Sequence, residues 1–142
     1  MGLIVVDASV AVKWALREAD SEAAAALLDD DDPLLAPELL RIEGASAITR
    51  AGRSGRVAVS DVEDVVARWL RSLEAGAVEL WPDRADLARA VTLSCELRHP
   101  LPDCLYLALA ERTDAELVTA DATFVRRVSD SFPRVRLLAA DA

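Results

Sequence analysis

Short, mostly apolar runs alternate along the chain with longer segments in which apolar residues recur every three or four positions. The short runs are typical of strands buried on both faces, and the longer segments are typical of helices that cover a sheet. The pattern predicts strands at residues 3–6, 34–36, 77–80, 116–119 and 135–138. It predicts helices at residues 8–16, 20–29, 37–51, 60–74, 83–97, 102–112 and 121–129.

This alternation predicts an α/β fold with a mainly parallel central sheet, because parallel strands require crossover helices that cover both faces. Hydrophobic residues make up 53% of the chain and aromatic residues only 4%, so the core must be built from Ala, Val and Leu. The length of 142 residues predicts a single domain, residues 1–142. Ligands of such sheets bind beyond the carboxyl ends of the strands, and we expect the functional residues there.

Charge and cysteine content exclude several classes of protein. The net charge of −9 has the wrong sign for gripping a phosphate backbone by charge alone. The two cysteines, Cys95 and Cys104, form no CxxC pair, so we expect neither a zinc site nor a disulfide framework. No apolar run approaches the roughly 20 residues of a membrane span, and the start lacks the features of a signal peptide. These observations predict a soluble cytoplasmic protein with no membrane partner.

Aspartates stand where predicted strands give way to helices. Asp7 ends the first strand, in "LIVVDASV", and Asp121 follows "ELVTA". Asp103, in "HPLPDCLYLALAE", lies in the first turn of a helix. Each has a purely structural explanation, because Asp is a good N-cap and its charge favours the first turn. The joint placement along one edge of the sheet is more informative than any one residue.

Glu43 is different, because its helical neighbours in "PELLRIEGASAI" are apolar or small. Leu39, Leu40, Ser46 and Ala47 lie three and four residues away, so the carboxylate is predicted to face inward. Four converging carboxylates would repel one another, and none of the three aspartate motifs contains a Lys or Arg to hold them. Oxygen ligands without His or Cys favour Mg²⁺ or Mn²⁺, and such a cation would reverse the local charge where a phosphate must bind.

The ordered set of motifs resembles a known family. "VVDASV", the Glu of "LLAPELLRIEGASAI", "PDCLYLALAE" and "LVTADATF" are similar, in order and placement, to the four acidic motifs of PIN-domain ribonucleases, and most of all to VapC-type toxins of toxin–antitoxin pairs. The resemblance runs from Ile4 to about Phe124, nearly the whole chain. It implies a three-layer α/β/α fold, a homodimer, an RNA substrate and a cognate antitoxin that covers the active site.

The resemblance also implies roles for individual residues. Asp7, Glu43, Asp103 and Asp121 would be the catalytic, metal-binding carboxylates for Mg²⁺ or Mn²⁺. Ser9 and Thr119 would be nearby hydroxyls that orient ligands or waters. The expected reaction is metal-assisted hydrolysis of an RNA phosphodiester bond.

Arginines must supply the contacts to the substrate phosphates. "TRAGRSGR" places Arg50, Arg53 and Arg56 after the Glu43 helix, and Arg126 and Arg127 follow the last acidic motif. Arg50 and Arg53 are the predicted substrate-binding pair. The structural alternative is a solvated helix end, where Arg is favourable in any case.

Other functions account less well for the same residues. A metal-free ribonuclease would need histidines, and His99, beside Pro100, is predicted to lie on the surface. A phospho-acceptor receiver domain has similar alternation, but it requires paired acids after the first strand and a Lys after a late strand. Here Asp7 stands alone and the only lysine is Lys13. A catalytically inactive PIN scaffold is the third alternative, and the complete set of acids argues against it.

Overall fold

The structure, a computed structural model, describes residues 2–138, so Met1 and residues 139–142 of the predicted domain lie outside it. Five strands form one sheet, in the order β3-β2-β1-β4-β5. The strands are β1 Ile4–Val6, β2 Leu34–Pro37, β3 Glu79–Trp81, β4 Glu116–Thr119 and β5 Val135–Leu137. The helices are α1 Ala8–Ala11, α2 Ser21–Leu28, α3 Leu39–Arg53, α4 Val59–Ser72, α5 Leu87–Leu97, α6 Leu101–Thr113 and α7 Ala122–Val128.

Every pairing in the sheet is parallel, and β1 lies at its centre between β2 and β4. Because parallel crossovers are right-handed, the helices before β3 cover one face and those after it cover the other. The prediction of a three-layer α/β/α fold with a mainly parallel sheet is confirmed. The carboxyl ends of β1 and β4 are neighbours, with Val6 paired to Val118. Asp7 and Thr119, the residues that follow this pair, therefore lie side by side at the same edge of the sheet.

Several element ends differ from the predicted ones for local reasons. The helix predicted at 37–51 begins at Leu39, because Pro37 still pairs with Trp81 in the sheet. The helix predicted at 83–97 begins at Leu87, after a short 3₁₀ turn. The helix predicted at 8–16 ends at Ala11 and continues as a 3₁₀ turn. The strand predicted at 77–80 is observed at Glu79–Trp81, because a π-helical turn extends to Ala77. The other elements overlap their predicted ranges, with ends shifted by at most two residues.

A close contact between α3 and α4 fixes the rotation of α3. Gly44 lies against the ring of Trp69, and a Cβ atom at position 44 would overlap that ring. The buried Trp69 ring in turn donates from Nε1 to the carbonyl oxygen of Ala11, at 3.0 Å. Because Gly44 faces α4, the adjacent Glu43 projects to one side of that contact, toward the carboxyl edge of the sheet.

Candidate active site

A cavity of about 570 Å³ opens at the carboxyl edge of the sheet. All four predicted carboxylates line it, and its volume lies within the range of small-ligand sites. The polar and charged residues of its lining are Asp7, Ser9, Lys13, Glu18, Glu43, Ser46, Arg50, Asp103 and Asp121. The acids come from four separate segments of the chain, and the topology brings them together.

Asp7 directly follows β1 in an extended conformation, and its side chain does not cap α1. The capping explanation offered by the sequence therefore fails for this residue. Its Oδ1 accepts a hydrogen bond from Ser9 Oγ and its Oδ2 accepts one from Thr119 Oγ1, both at 2.6 Å. Only 5% of the residue is exposed. Asp7 is thus a buried carboxylate that is held by two neutral donors.

Burial and the nearby charge of Asp103 together raise the pKa of Asp7 to about 6, against the opposing effect of the hydrogen bonds from Ser9 and Thr119. Above that pH the residue carries a negative charge in a buried setting. A cation in the cavity would stabilise this charged form.

Ser9 and Thr119 connect the ends of two neighbouring strands. Ser9 Oγ accepts from the backbone N–H of Ala120 at 2.9 Å, and Thr119 Oγ1 accepts from that of Asp121 at 3.1 Å. Each hydroxyl thus receives one backbone hydrogen bond and donates its proton to Asp7. Ser9 lines the cavity, whereas Thr119 is fully buried. Both hydroxyls donate to the carboxylate of Asp7 and thereby orient it.

Glu43 projects from α3 and is half-buried, as the apolar surroundings in the sequence predicted. Its Oε1 accepts a hydrogen bond from the Tyr106 hydroxyl at 2.7 Å. Burial raises the pKa of Glu43, the charges of Asp103 and Asp83 add to the rise, and the hydrogen bond from Tyr106 opposes it. Burial and the charge of Glu43 raise the pKa of Tyr106 far above its usual value, so the phenol remains a donor.

Sequence reasoning missed Tyr106. The available signal was its position three residues after Asp103 on the same predicted helix, which places the two on neighbouring parts of one face. Nothing in that spacing indicates that the hydroxyl reaches across to α3.

Asp103 lies in the first turn of α6, and its Oδ2 is 2.6 Å from Nε2 of His99. The prediction that His99 lies on the surface is wrong. Arg98 ends α5 in the left-handed conformation, with φ of 54°, and the turn that follows directs the next side chain inward. Only 7% of His99 is exposed, and its ring stacks on Phe124 with 4.7 Å between ring centroids.

Asp121 is the exposed member of the set. Its Oδ1 accepts from the backbone N–H of Phe124 at 3.1 Å, so it caps α7, as its sequence position allowed. Its carboxylate also lines the cavity, and a cap has one oxygen to spare.

Two cationic side chains line the cavity together with the acids. Arg50 is exposed at the C-terminal end of α3, and Arg53 lies one turn further, outside the lining. Lys13, which sequence reasoning did not assign to the site, has a side chain only 9% exposed. Its Nζ donates to the carbonyl oxygen of Ala19 at 2.8 Å and lies 3.4 Å from Glu18.

The donor set fits a hard divalent cation in its chemistry. The four predicted carboxylates line one cavity, and within residues 2–138 none of them forms an ion pair with Lys or Arg. Glu18, the fifth acid of the lining, does pair with Lys13 and Arg56. In the same part of the chain, no three acids, histidines or cysteines stand close enough as placed to enclose an ion. The raised pKa values of Asp7 and Glu43 are the electrostatic signature of acids that a bound cation would stabilise.

Comparisons with known proteins agree with the fold. A family model described as PIN domain matches residues 4–129. The structure of PAE2754 from Pyrobaculum aerophilum is similar, with 21% identity, a TM-score of 0.66, and coverage of 89% of this chain and 79% of that one. A toxin–antitoxin complex from Klebsiella pneumoniae is similar with 17% identity, a TM-score of 0.63, and coverage of 94% and 95%. No match was found among curated proteins. In the described part of the chain, no helix combines the length and apolar character needed to cross a membrane.

Proposed function

Because the PIN-domain match spans residues 4–129, the chain belongs to the PIN-domain family, and we propose that it is a divalent-metal-dependent endoribonuclease. PIN domains are generally nucleases, which supports hydrolysis of a nucleic acid. One observation carries the proposal: Asp7, Glu43, Asp103 and Asp121 line one cavity at the carboxyl edge of the sheet. Four acids without a paired cation are costly to a fold unless they serve a charged ligand.

In this proposal the four carboxylates hold Mg²⁺ or Mn²⁺. When bound, such a cation polarises the phosphate and lowers the pKa of a water. The chain's own contribution is positioning. Ser9 and Thr119 fix both oxygens of Asp7, and Tyr106 fixes one oxygen of Glu43. The remaining lone pairs of these oxygens stay available within the cavity.

The distribution of arginines supports an RNA substrate despite the net charge of −9. Seven arginines form ion pairs with acids: Arg41, Arg56, Arg68, Arg89, Arg112, Arg134 and Arg136. Arg50 and Arg53 have no acidic partner among residues 2–138, and Arg50 lines the cavity. Unpaired guanidinium groups beside the acids can bind the phosphates that flank the scissile bond. We assign this role to Arg50 and Arg53.

The proposal extends to a toxin of the VapC type in a type II toxin–antitoxin system, acting in the cytoplasm as a homodimer with a cognate antitoxin. Its support is the shared fold with the Klebsiella pneumoniae structure, which is a toxin–antitoxin complex. Co-expression with the product of a small adjacent gene should relieve growth arrest caused by this chain, and the complex should not cleave RNA. Light scattering should give the mass of a dimer, and a monomer at micromolar concentration would contradict that part.

Cleavage of RNA in the presence and absence of chelator tests the central claim. We expect cleavage only with Mg²⁺ or Mn²⁺, and products that carry a 5′-phosphate and a 3′-hydroxyl, because water and not the ribose 2′-hydroxyl is the nucleophile. A 2′,3′-cyclic phosphate, or full cleavage in excess chelator, would refute the mechanism. A receiver domain or an inactive scaffold would cleave nothing under either condition.

A further inference from the structure

His99 lies in the loop that joins α5 to α6, and its side chain is buried against Phe124 of α7. Its backbone is fixed, because its N–H donates to the carbonyl oxygen of Ser94 and its own carbonyl oxygen accepts from Ser94 Oγ. Its ring lies against Phe124, with 21° between the ring planes. The imidazole therefore has little freedom, and whatever it binds is held firmly.

The two ring nitrogens have different environments. Nε2 lies 2.6 Å from Asp103 Oδ2. Nδ1 is buried and has no hydrogen-bond partner among the described residues. Leaving a buried polar atom without a hydrogen-bond partner destabilises the folded state. A phenylalanine or leucine would pack against Phe124 without that cost, so packing alone does not explain a histidine here.

The unpartnered Nδ1 also determines where the ring proton resides in the neutral imidazole. A proton on Nδ1 would face no acceptor, and it would leave the lone pair of Nε2 directed at the carboxylate of Asp103. A proton on Nε2 is instead donated to Asp103 Oδ2. The imidazole therefore acts as a fixed donor that occupies Oδ2 and leaves Oδ1 without a side-chain hydrogen bond among the described residues.

We propose that His99 is a positioning residue that holds the Asp103 carboxylate in the orientation required by the cation and the substrate. The inference rests on the proposed function and adds a residue that the acidic motifs do not include. Hydrogen bonds from outside a set of ligands commonly orient them, and their loss typically costs about 10–100-fold in metal affinity or activity. Asp103 has no other side-chain hydrogen bond within residues 2–138, so the imidazole alone fixes its carboxylate.

Two substitutions separate the hydrogen bond from the packing. His99→Phe keeps an aromatic ring against Phe124 and removes the donor, whereas His99→Gln places an amide N–H near the position of Nε2. In chelator, His99→Phe should melt at or above the wild-type temperature, because the unpartnered Nδ1 is gone. Titration calorimetry should show Mn²⁺ binding about 10-fold weaker, and kcat should fall while KM changes little. His99→Gln should recover most of both losses.

A double-mutant cycle with Asp103→Asn isolates the coupling. In that background His99→Phe should weaken Mn²⁺ binding no further, because the carboxylate it positions is absent. Folded His99→Phe protein with wild-type Mn²⁺ affinity and kcat would overturn the inference alone. Wild-type protein that neither binds Mn²⁺ nor cleaves RNA would overturn the proposed function, and this inference with it.

A measurement on the unmutated, tag-free protein covers the case in which the Phe variant does not fold. His99 is the only histidine in the chain, so its ring nitrogens give unambiguous ¹⁵N signals. We expect the Nε2–H tautomer, and we expect a shift of the Nε2 signal on addition of Mg²⁺ that is absent in Asp103→Asn. The Nδ1–H tautomer, or an Nε2 signal that Mg²⁺ does not move, would overturn the inference.

Discussion

The acids of this protein occur in two settings that are stabilised in opposite ways. Around the end of α6 and the start of β4, carboxylates meet arginines, as in the pairs Asp86–Arg112, Glu111–Arg89, Asp114–Arg134 and Glu116–Arg136. Around the cavity, the carboxylates of Asp7, Glu43 and Asp103 meet hydroxyls, a phenol and an imidazole. The first group is neutralised, and the second is oriented without being neutralised.

Under the proposed function, the difference means that the fold prepares the cation site before a cation binds. An arginine beside Asp7 or Glu43 would lower the pKa of the acid and would also occupy the position of the cation. Neutral donors fix the direction of a carboxylate while most of its charge remains uncompensated. The pKa values follow the two settings: burial raises those of Asp7 and Glu43, and the hydrogen bond from Arg89 lowers that of Glu111.

The strongest test makes the same Asp→Asn substitution in each of the two settings. Asp7→Asn should lower RNA cleavage and Mn²⁺ affinity by about 100-fold or more, since it removes a charge from the cluster. Asp114→Asn is the matched control: its side chain is 95% exposed, and Asn tolerates its left-handed backbone, so cleavage should stay at the wild-type rate. Asp7→Asn protein that is folded and fully active would remove Asp7 from the catalytic set.

The second test breaks a neutralised pair. Arg112→Met leaves the Asp86 carboxylate, 4% exposed, without its cation and should cost about 2 kcal/mol of unfolding free energy in urea. Cleavage by the folded fraction should not change. Arg68→Met removes a pair whose members are both mostly exposed, and it should cost about 0.3 kcal/mol. Equal losses for the two variants would show that burial of the acid does not decide the effect.

The third test removes one neutral donor. Tyr106→Phe deletes only the hydroxyl that binds Glu43 and should weaken Mn²⁺ binding about 10-fold. The melting temperature in chelator should change little, because the aromatic ring remains packed and Glu43 remains buried to the same extent. Unchanged Mn²⁺ affinity would mean that Glu43 needs no orientation from α6.

The smallest expected effect depends on pH. The folded-state pKa of Asp7, about 6, exceeds its ordinary value of 3.8, so its favourable contribution is complete below about pH 4 and is lost as the pH rises through 6. In chelator, Asp7→Asn should therefore match the wild type near pH 4 and exceed its unfolding free energy by about 1 kcal/mol at pH 8. The full pKa shift of Asp7 corresponds to about 3 kcal/mol. We expect a smaller gain for Asp7→Asn because a neutral amide accepts weaker hydrogen bonds from Ser9 and Thr119. A variant that is less stable than the wild type at pH 8 would contradict the assignment.

Sequence reasoning located the sheet edge because the alternation of strands and helices, which implies parallel strands, depends on short, local patterns. Asp7, Asp103 and Asp121 each follow from their place at the start of an element, and Glu43 follows from its apolar neighbours. The side chains that form hydrogen bonds with these acids could not be predicted from the sequence. The contact of Tyr106 with Glu43 depends on how α3 and α6 are rotated, and the burial of His99 depends on one left-handed residue, Arg98. Helix rotation and turn conformation depend on tertiary packing, which a local sequence pattern does not predict.

The central position of β1 has a consequence for the order in which the candidate site is assembled during synthesis. Asp7 is synthesised more than a hundred residues before its partner Thr119 and the last acid, Asp121. At about 5–20 residues per second, synthesis separates them by roughly 6–20 seconds. During that interval the growing chain carries Asp7 without the strand β4 that completes the candidate site. The candidate site can therefore form only after β4 has been synthesised.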